Sequence, residues 1–90
     1  ITPPGVFATS AAWDSRTFPA VTNIGARPTF GPGKTSIETH ILDFEENICG
    51  EKVRIQFLKK LRDEKKFASP EELARQIGRD VRRARAFFGR

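Results

Sequence analysis

Apolar residues recur at every second position from Thr35 to Phe44 and from Lys52 to Leu61, then at every third or fourth position near the chain's end. After Pro3-Pro4-Gly5, the run Val6-Phe7-Ala8-Thr9 is short, apolar and partly β-branched, which predicts a strand entered from a rigid turn. Asp14-Ser15 supplies turn chemistry between Trp13 and Thr17, so a hairpin is expected there. Its return arm, Phe18 to Ile24, carries Pro19, which has no N–H for a ladder; the arm is expected at a sheet edge or bulged near its start. From Thr35 to Phe44, Ile37, Thr39 and Ile41 alternate with Glu38, His40 and Leu42. From Lys52 to Leu61, Val53, Ile55 and Phe57 alternate with Lys52, Arg54 and Gln56. These two long strands are expected to pair with each other as a hairpin across the polar turn Glu45-Glu46-Asn47.

The period changes after the all-charged Arg62-Asp63-Glu64-Lys65-Lys66. Ser69 can cap a helix, Pro70 suits the first helical position with its fixed φ, and Glu72 completes a capping box. Leu73, Ile77, Val81, Ala84 and Phe88 then form one apolar stripe, so a helix over roughly 70–88 should bury that stripe on the sheet and show Arg75, Arg79, Arg82 and Arg85 to water. Gly25 to Gly33 holds three Gly and two Pro in nine residues, too many for the interior of a strand or helix, and reads as a loop. The pattern is mainly β: four or more antiparallel strands, as a barrel or a strongly curved sheet, with one C-terminal amphipathic helix.

Ninety residues suffice for one core and one domain. No apolar stretch approaches the ~20 residues that cross a bilayer as a helix, so the chain reads as soluble, without a membrane partner. The single Cys49 excludes an internal disulfide framework and a Cys-based zinc site and fits a reducing compartment, the cytoplasm. The chain starts at Ile1 and contains no Met, which reads as a piece of something longer. Charge is uneven: Ile1 to Glu51 carries three basic and six acidic residues, Lys52 to Arg90 thirteen and five. The basic half could meet phosphates or could be a solvated face.

Glu38 sits in mid-strand with His40 two residues on, on the same face. Facing a pocket, such a carboxylate could serve as a general base toward a hydroxyl; facing water, it is ordinary. The Gly25 to Gly33 loop could wrap phosphates through its backbone N–H groups, with Arg27, Thr29 and Lys34 as added donors, although no Walker sequence is present. Phe30 and Phe67 stand in loops, where either could stack on a planar ring. An alternative reading is a small basic β-barrel module that binds single-stranded nucleic acid or a partner protein without catalysis. A sheet edge left open could also be filled by a neighbouring chain.

Five segments, in order, carry a resemblance: Pro3 to Ala8, Val21 to Gly31, Ile37 to Phe44, Leu61 to Phe67, and Ser69 to Ile77 with Asp80. Together they resemble the riboflavin kinase module of bacterial bifunctional riboflavin kinase/FAD synthetases, over nearly the whole chain. The resemblance implies a six-stranded antiparallel Greek-key barrel of the riboflavin kinase type, N-terminally truncated, with strands over roughly 5–62 and a C-terminal helix. It implies transfer of the ATP γ-phosphoryl group to the 5′-hydroxyl of riboflavin, giving FMN and ADP, beside an N-terminal adenylyltransferase module in the parent and with no nucleic-acid partner. By the same resemblance Glu38 is the catalytic base, and Arg62, Lys65 and Phe67 contact the flavin. Arg27, Thr29, Asp43 and Cys49 lie where the nucleotide is held, Cys49 standing where the family usually has Tyr. The Thr and Asn that hold Mg²⁺ and the ATP phosphates belong to a Pro-Thr-Ala-Asn motif expected upstream of Ile1, so no metal ligand is expected among these residues, and the ninety residues alone should be a poor kinase.

Overall fold

In the computed structural model, which describes residues 3–26, 35–48 and 50–89, Asp14 and Ser15 take left-handed backbone angles, φ 53° and 60°. A two-residue turn of that hand matches the twist of the strands it joins. It closes an antiparallel hairpin of β1 (Gly5–Trp13) and β2 (Arg16–Ala26), in register from Trp13 opposite Arg16 to Gly5 opposite Ile24. The first strand therefore runs well beyond Val6–Thr9. Ser10-Ala11-Ala12 have weak strand propensity, but a partner on each side holds them in the ladder.

β3 (Thr35–Ile41) joins the free side of β2, and β4 (Arg54–Arg62) joins the free side of β1. The order is β3-β2-β1-β4, all neighbours antiparallel. The two long strands expected to pair with each other thus lie on opposite sides of the sheet. Alternation marks which residues share a face and leaves the neighbour open; the tight β1–β2 hairpin takes the middle. Pro19, too, lies in an inner strand. Its carbonyl accepts from the Leu42 N–H at 2.9 Å, and N and O of one strand residue point the same way. The missing N–H therefore faces β3 just past its last pair, Ala20 with Ile41, where the ladder has already ended. β3 stops short of the expected Phe44 because Asp43 turns the chain at φ 54°. β4 begins at Arg54, two residues after the expected Lys52.

Both faces of the central hairpin are covered. Val6, Ala8, Val21, Leu42, Leu61 and Ala84 form the cluster beneath the helix, with Val81 and Phe88 packed against it. On the opposite face Phe7, Thr9, Ala11, Ala20, Thr22 and Ile24 are also buried. The hydroxyls of Thr9, Thr22 and Thr39 form a chain with two 2.9 Å hydrogen bonds, which satisfies the polar atoms of that face. β4 shifts register twice against β1, leaving Leu58 and Leu61 as extra residues. Such bulges bend a strand and re-aim its side chains, and Leu61 enters the helix-side core.

α1 (Pro70–Phe88) starts and stops as its sequence predicts. The Ser69 hydroxyl accepts from the Glu72 N–H at 3.2 Å, and Gly89 closes the helix in a left-handed conformation at φ 75°. The buried face differs from the expected stripe. Ala84 is buried and Val81 and Phe88 pack on the core, but Leu73 and Ile77 remain 42% and 50% exposed, while Gln76 and Asp80 are buried in their place. Among the described residues the fold is mainly β, four antiparallel strands in an unclosed sheet and one C-terminal helix; six strands and closure into a barrel are not seen within them.

Candidate active site

Because α1 rests on the sheet through its second half, its first half borders a cleft of about 620 Å³. One wall is the helix-side face of β2 and β3, the other is α1 from Leu73 to Val81, and residues 62–67 form the rim. The helix wall is mainly apolar, with Leu73, Ile77 and Val81 beside the Asp80 carboxylate; the sheet wall carries Asn23, Ser36, Glu38 and His40. A cleft with one mainly apolar wall and one hydrogen-bonding wall suits a ligand that is part apolar, part polar.

The strand register explains the polar wall. Glu38 pairs with Asn23 and His40 with Val21, so both side chains share the face on which Val21 meets the helix-side core. Both are exposed, within the cleft rather than beneath it. The structure thus brings Glu38 into one cleft with Arg62, Lys65 and Phe67, residues 24 or more positions away in sequence. Phe67 collects the two cations: the Arg62 guanidinium carbon lies 5.8 Å and the Lys65 ammonium 5.9 Å from its ring centroid. Between them, Asp63 pairs with Lys60, whose hydrogen bond and charge hold the Asp63 carboxyl below the usual carboxylate range.

Asp43 lies beyond the end of β3 and outside the cleft lining. Its carboxylate accepts two hydrogen bonds from Arg85, at 2.9 and 2.7 Å, and this partner raises the Arg85 pKa. Phe44, next in the chain, stacks edge-on against Phe18 and Trp13, at centroid distances of 4.9 and 5.9 Å. Arg16 lies 5.2 Å from the Trp13 and Phe18 rings and is paired with Glu46. These contacts tie the segment after β3 to the β1–β2 turn. Arg27, Thr29 and Cys49, and most of the Gly25 to Gly33 loop, lie outside the described residues.

Asp80 lines the cleft and Gln76 is buried beside it; the apolar pattern concealed both. Asp80, 4% exposed, receives two 2.8 Å hydrogen bonds from Arg62 and one of 3.0 Å from Gln76. Spacing held a signal: Gln76, Asp80 and Ala84 are four apart, so an Ala of the core shares its face with a carboxylate. Two glycines set the rim. Gly5 takes φ 152°, and a Cβ there would lie 3.0 Å from the Arg62 carbonyl oxygen. A Cβ at Gly25 would lie 2.6 Å from a Glu64 carboxylate oxygen. Both bring the rim close to the hairpin.

Among the described residues no three His, Cys, Asp or Glu side chains gather to hold a metal ion, and no helix is long and apolar enough to cross a membrane.

A curated relative, the bifunctional riboflavin kinase/FMN adenylyltransferase of Pseudomonas fluorescens, is 43% identical over 83 residues, covering 91% of this chain and 27% of the relative. The RNA-binding riboflavin kinase RibR of Bacillus subtilis is 36% identical over 78 residues, covering 86% of this chain and 34% of its own length. A crystal structure of a macrolide-efflux protein from Streptococcus pneumoniae matches with a TM-score of 0.82 and 29% identity, covering 91% of this chain and 27% of that one. The chain therefore spans about a quarter to a third of the proteins it matches. The family model for riboflavin kinase, Flavokinase, matches residues 1–88, and the chain belongs to that family.

Proposed function

We propose that this cleft binds riboflavin and supports transfer of the γ-phosphoryl group of ATP to its 5′-hydroxyl, giving FMN and ADP. The observation that carries this reading is the convergence of Glu38, Arg62, Lys65 and Phe67 on one cleft whose facing wall is mainly apolar. In this reading Leu73, Ile77 and Phe67 cover the isoalloxazine ring, and the sheet wall meets the ribityl chain. Glu38 accepts the hydroxyl proton as the oxygen attacks the γ-phosphorus and the bond from that phosphorus to the β,γ-bridging oxygen breaks.

Mg²⁺ supplies charge neutralisation on the phosphates in such transfers. Among the described residues no three His, Cys, Asp or Glu side chains gather to hold it, and the Thr and Asn that the family resemblance assigns to it are expected upstream of Ile1. Arg27, Thr29 and Cys49 are proposed for the nucleotide end. Asp43 belongs to the same end but, with its carboxylate held by Arg85, shapes the turn there instead of meeting phosphate. We read the four strands as part of a six-stranded Greek-key barrel, the chain as one riboflavin kinase domain, and its parent as a cytoplasmic protein that also adenylylates FMN to FAD. The bifunctional name of the Pseudomonas relative supports that parent.

The test is FMN formation from riboflavin and Mg-ATP by the protein that carries this chain, with and without Glu38→Gln. Loss of a general base should lower kcat by roughly 10²–10⁴-fold with little change in riboflavin affinity. Near-normal turnover of the variant would remove Glu38 as the base, and absence of FMN with the unsubstituted protein would remove the activity. A second reading, binding of single-stranded nucleic acid, draws on the exposed Arg75, Arg79, Arg82 and Arg83 of α1 and on the name of the Bacillus relative. It requires oligonucleotide affinity that falls steeply with salt.

A further inference from the structure

Arg62 ends β4 and reaches across to α1. Its Nε donates to one Asp80 carboxylate oxygen and a terminal nitrogen to the other, both at 2.8 Å, while the second terminal nitrogen donates to the Asp63 carbonyl at 3.0 Å. Three of its five N–H groups are thereby committed. The Asp80 side chain is 5% exposed and that of Arg62 15%. Gln76 donates to Asp80 at 3.0 Å and accepts from Arg79 at 3.1 Å, so the carboxylate is fixed from two sides. A planar, two-point pair of this kind fixes the orientation of the guanidinium as well as its position. Here that orientation places it 5.8 Å from the Phe67 centroid, at the cleft rim.

We propose that Asp80 is a positioning residue for the ligand cleft: it sets the Arg62 fork, and through it the Phe67 ring, in the arrangement that receives the flavin, with Gln76 fixing Asp80 in turn. This rests on the riboflavin reading above. Asp80 need not touch the ligand. With its edge held by Asp80 and Asp63, Arg62 offers a bound ring chiefly its flat face, and the pair adds no net charge beside an uncharged isoalloxazine.

A double-mutant cycle on riboflavin affinity tests this, read by quenching of flavin fluorescence in the protein that carries this chain. The forms are the unsubstituted protein, Asp80→Asn, Arg62→Lys and the double variant, each checked for folding by circular dichroism. Each single change should weaken binding roughly tenfold, the scale of one charge-assisted hydrogen bond. The double variant should bind no worse than either single, because both break one coupled unit. Turnover of Asp80→Asn at saturating riboflavin should stay within about twofold, a split that simple loosening of the fold does not produce. Singles that bind within about twofold of the unsubstituted protein, or losses that multiply in the double variant, would overturn the proposal. If Asp80→Asn does not fold, Gln76→Met keeps the ion pair but releases one side of Asp80. It should weaken riboflavin binding by about threefold, less than a full hydrogen bond, and unchanged affinity would overturn the proposal. Failure of the unsubstituted protein to bind riboflavin removes the site reading and this inference together, whereas binding that ignores all three substitutions removes the inference alone.

Discussion

Asp43 and Arg85 join the turn after β3 to the last turn of α1 through two hydrogen bonds, 2.9 and 2.7 Å long, across 42 positions of sequence. The pair is exposed on the Asp43 side, so solvent screens it and its share of stability is small. Its geometric effect is larger, because Asp43 holds a left-handed backbone that redirects the chain toward the segment proposed for the nucleotide. Asp43→Ala and Arg85→Ala should therefore raise the KM for ATP by similar factors, and the double variant no further, with riboflavin affinity unchanged. Steady-state kinetics with each substrate varied in turn checks this, and an effect of Asp43→Ala alone would mean direct contact with the nucleotide.

Ile77 is 50% exposed on the cleft wall. A residue so placed contributes little to the core, and its replacement by Asn should change the melting temperature only slightly. The same change sets a polar group against the proposed ring and removes apolar contact. Riboflavin Kd should rise by roughly tenfold or more, about the effect of burying one large aliphatic side chain. A large fall in stability with unchanged affinity would return Ile77 to the core and take it out of the site.

Gly25 and Gly5 should respond differently to alanine. At Gly25 the added methyl would meet the far end of the flexible Glu64 side chain, which can swing away. Gly25→Ala should keep the fold, with stability changed by about 1 kcal/mol or less, and weaken riboflavin binding by releasing the rim. At Gly5, φ is 152° and the nearest atom is the Arg62 backbone oxygen at 3.0 Å, which cannot move without shifting β4. Gly5→Ala should cost about 1–3 kcal/mol. Chemical denaturation of both variants checks the order, and a Gly25→Ala protein less stable than Gly5→Ala would refute it.

Much of the local structure was legible in the residues themselves. Ser69 and Pro70 mark the start of α1 because capping is satisfied within a few residues of sequence. Asp14-Ser15 marks its hairpin for the same reason. Glu38 was identified as a candidate base from a family resemblance, and its strand phase put it beside His40, but neither showed what stood opposite.

What the chain alone determined is therefore the kind of element at each place, the residues that share a face, and the family. Tertiary structure decided the neighbours. β3 and β4 look like partners by pattern, yet the β1–β2 hairpin lies between them, since alternation is blind to which edge a strand joins. Leu73 and Ile77 read as core, yet they line a cleft, because α1 meets the sheet through its second half while Arg62 draws Asp80 and Gln76 inward. Faces and caps follow from period and short-range hydrogen bonding. A cleft depends on where two faces fail to meet, and that is fixed only when the whole chain packs.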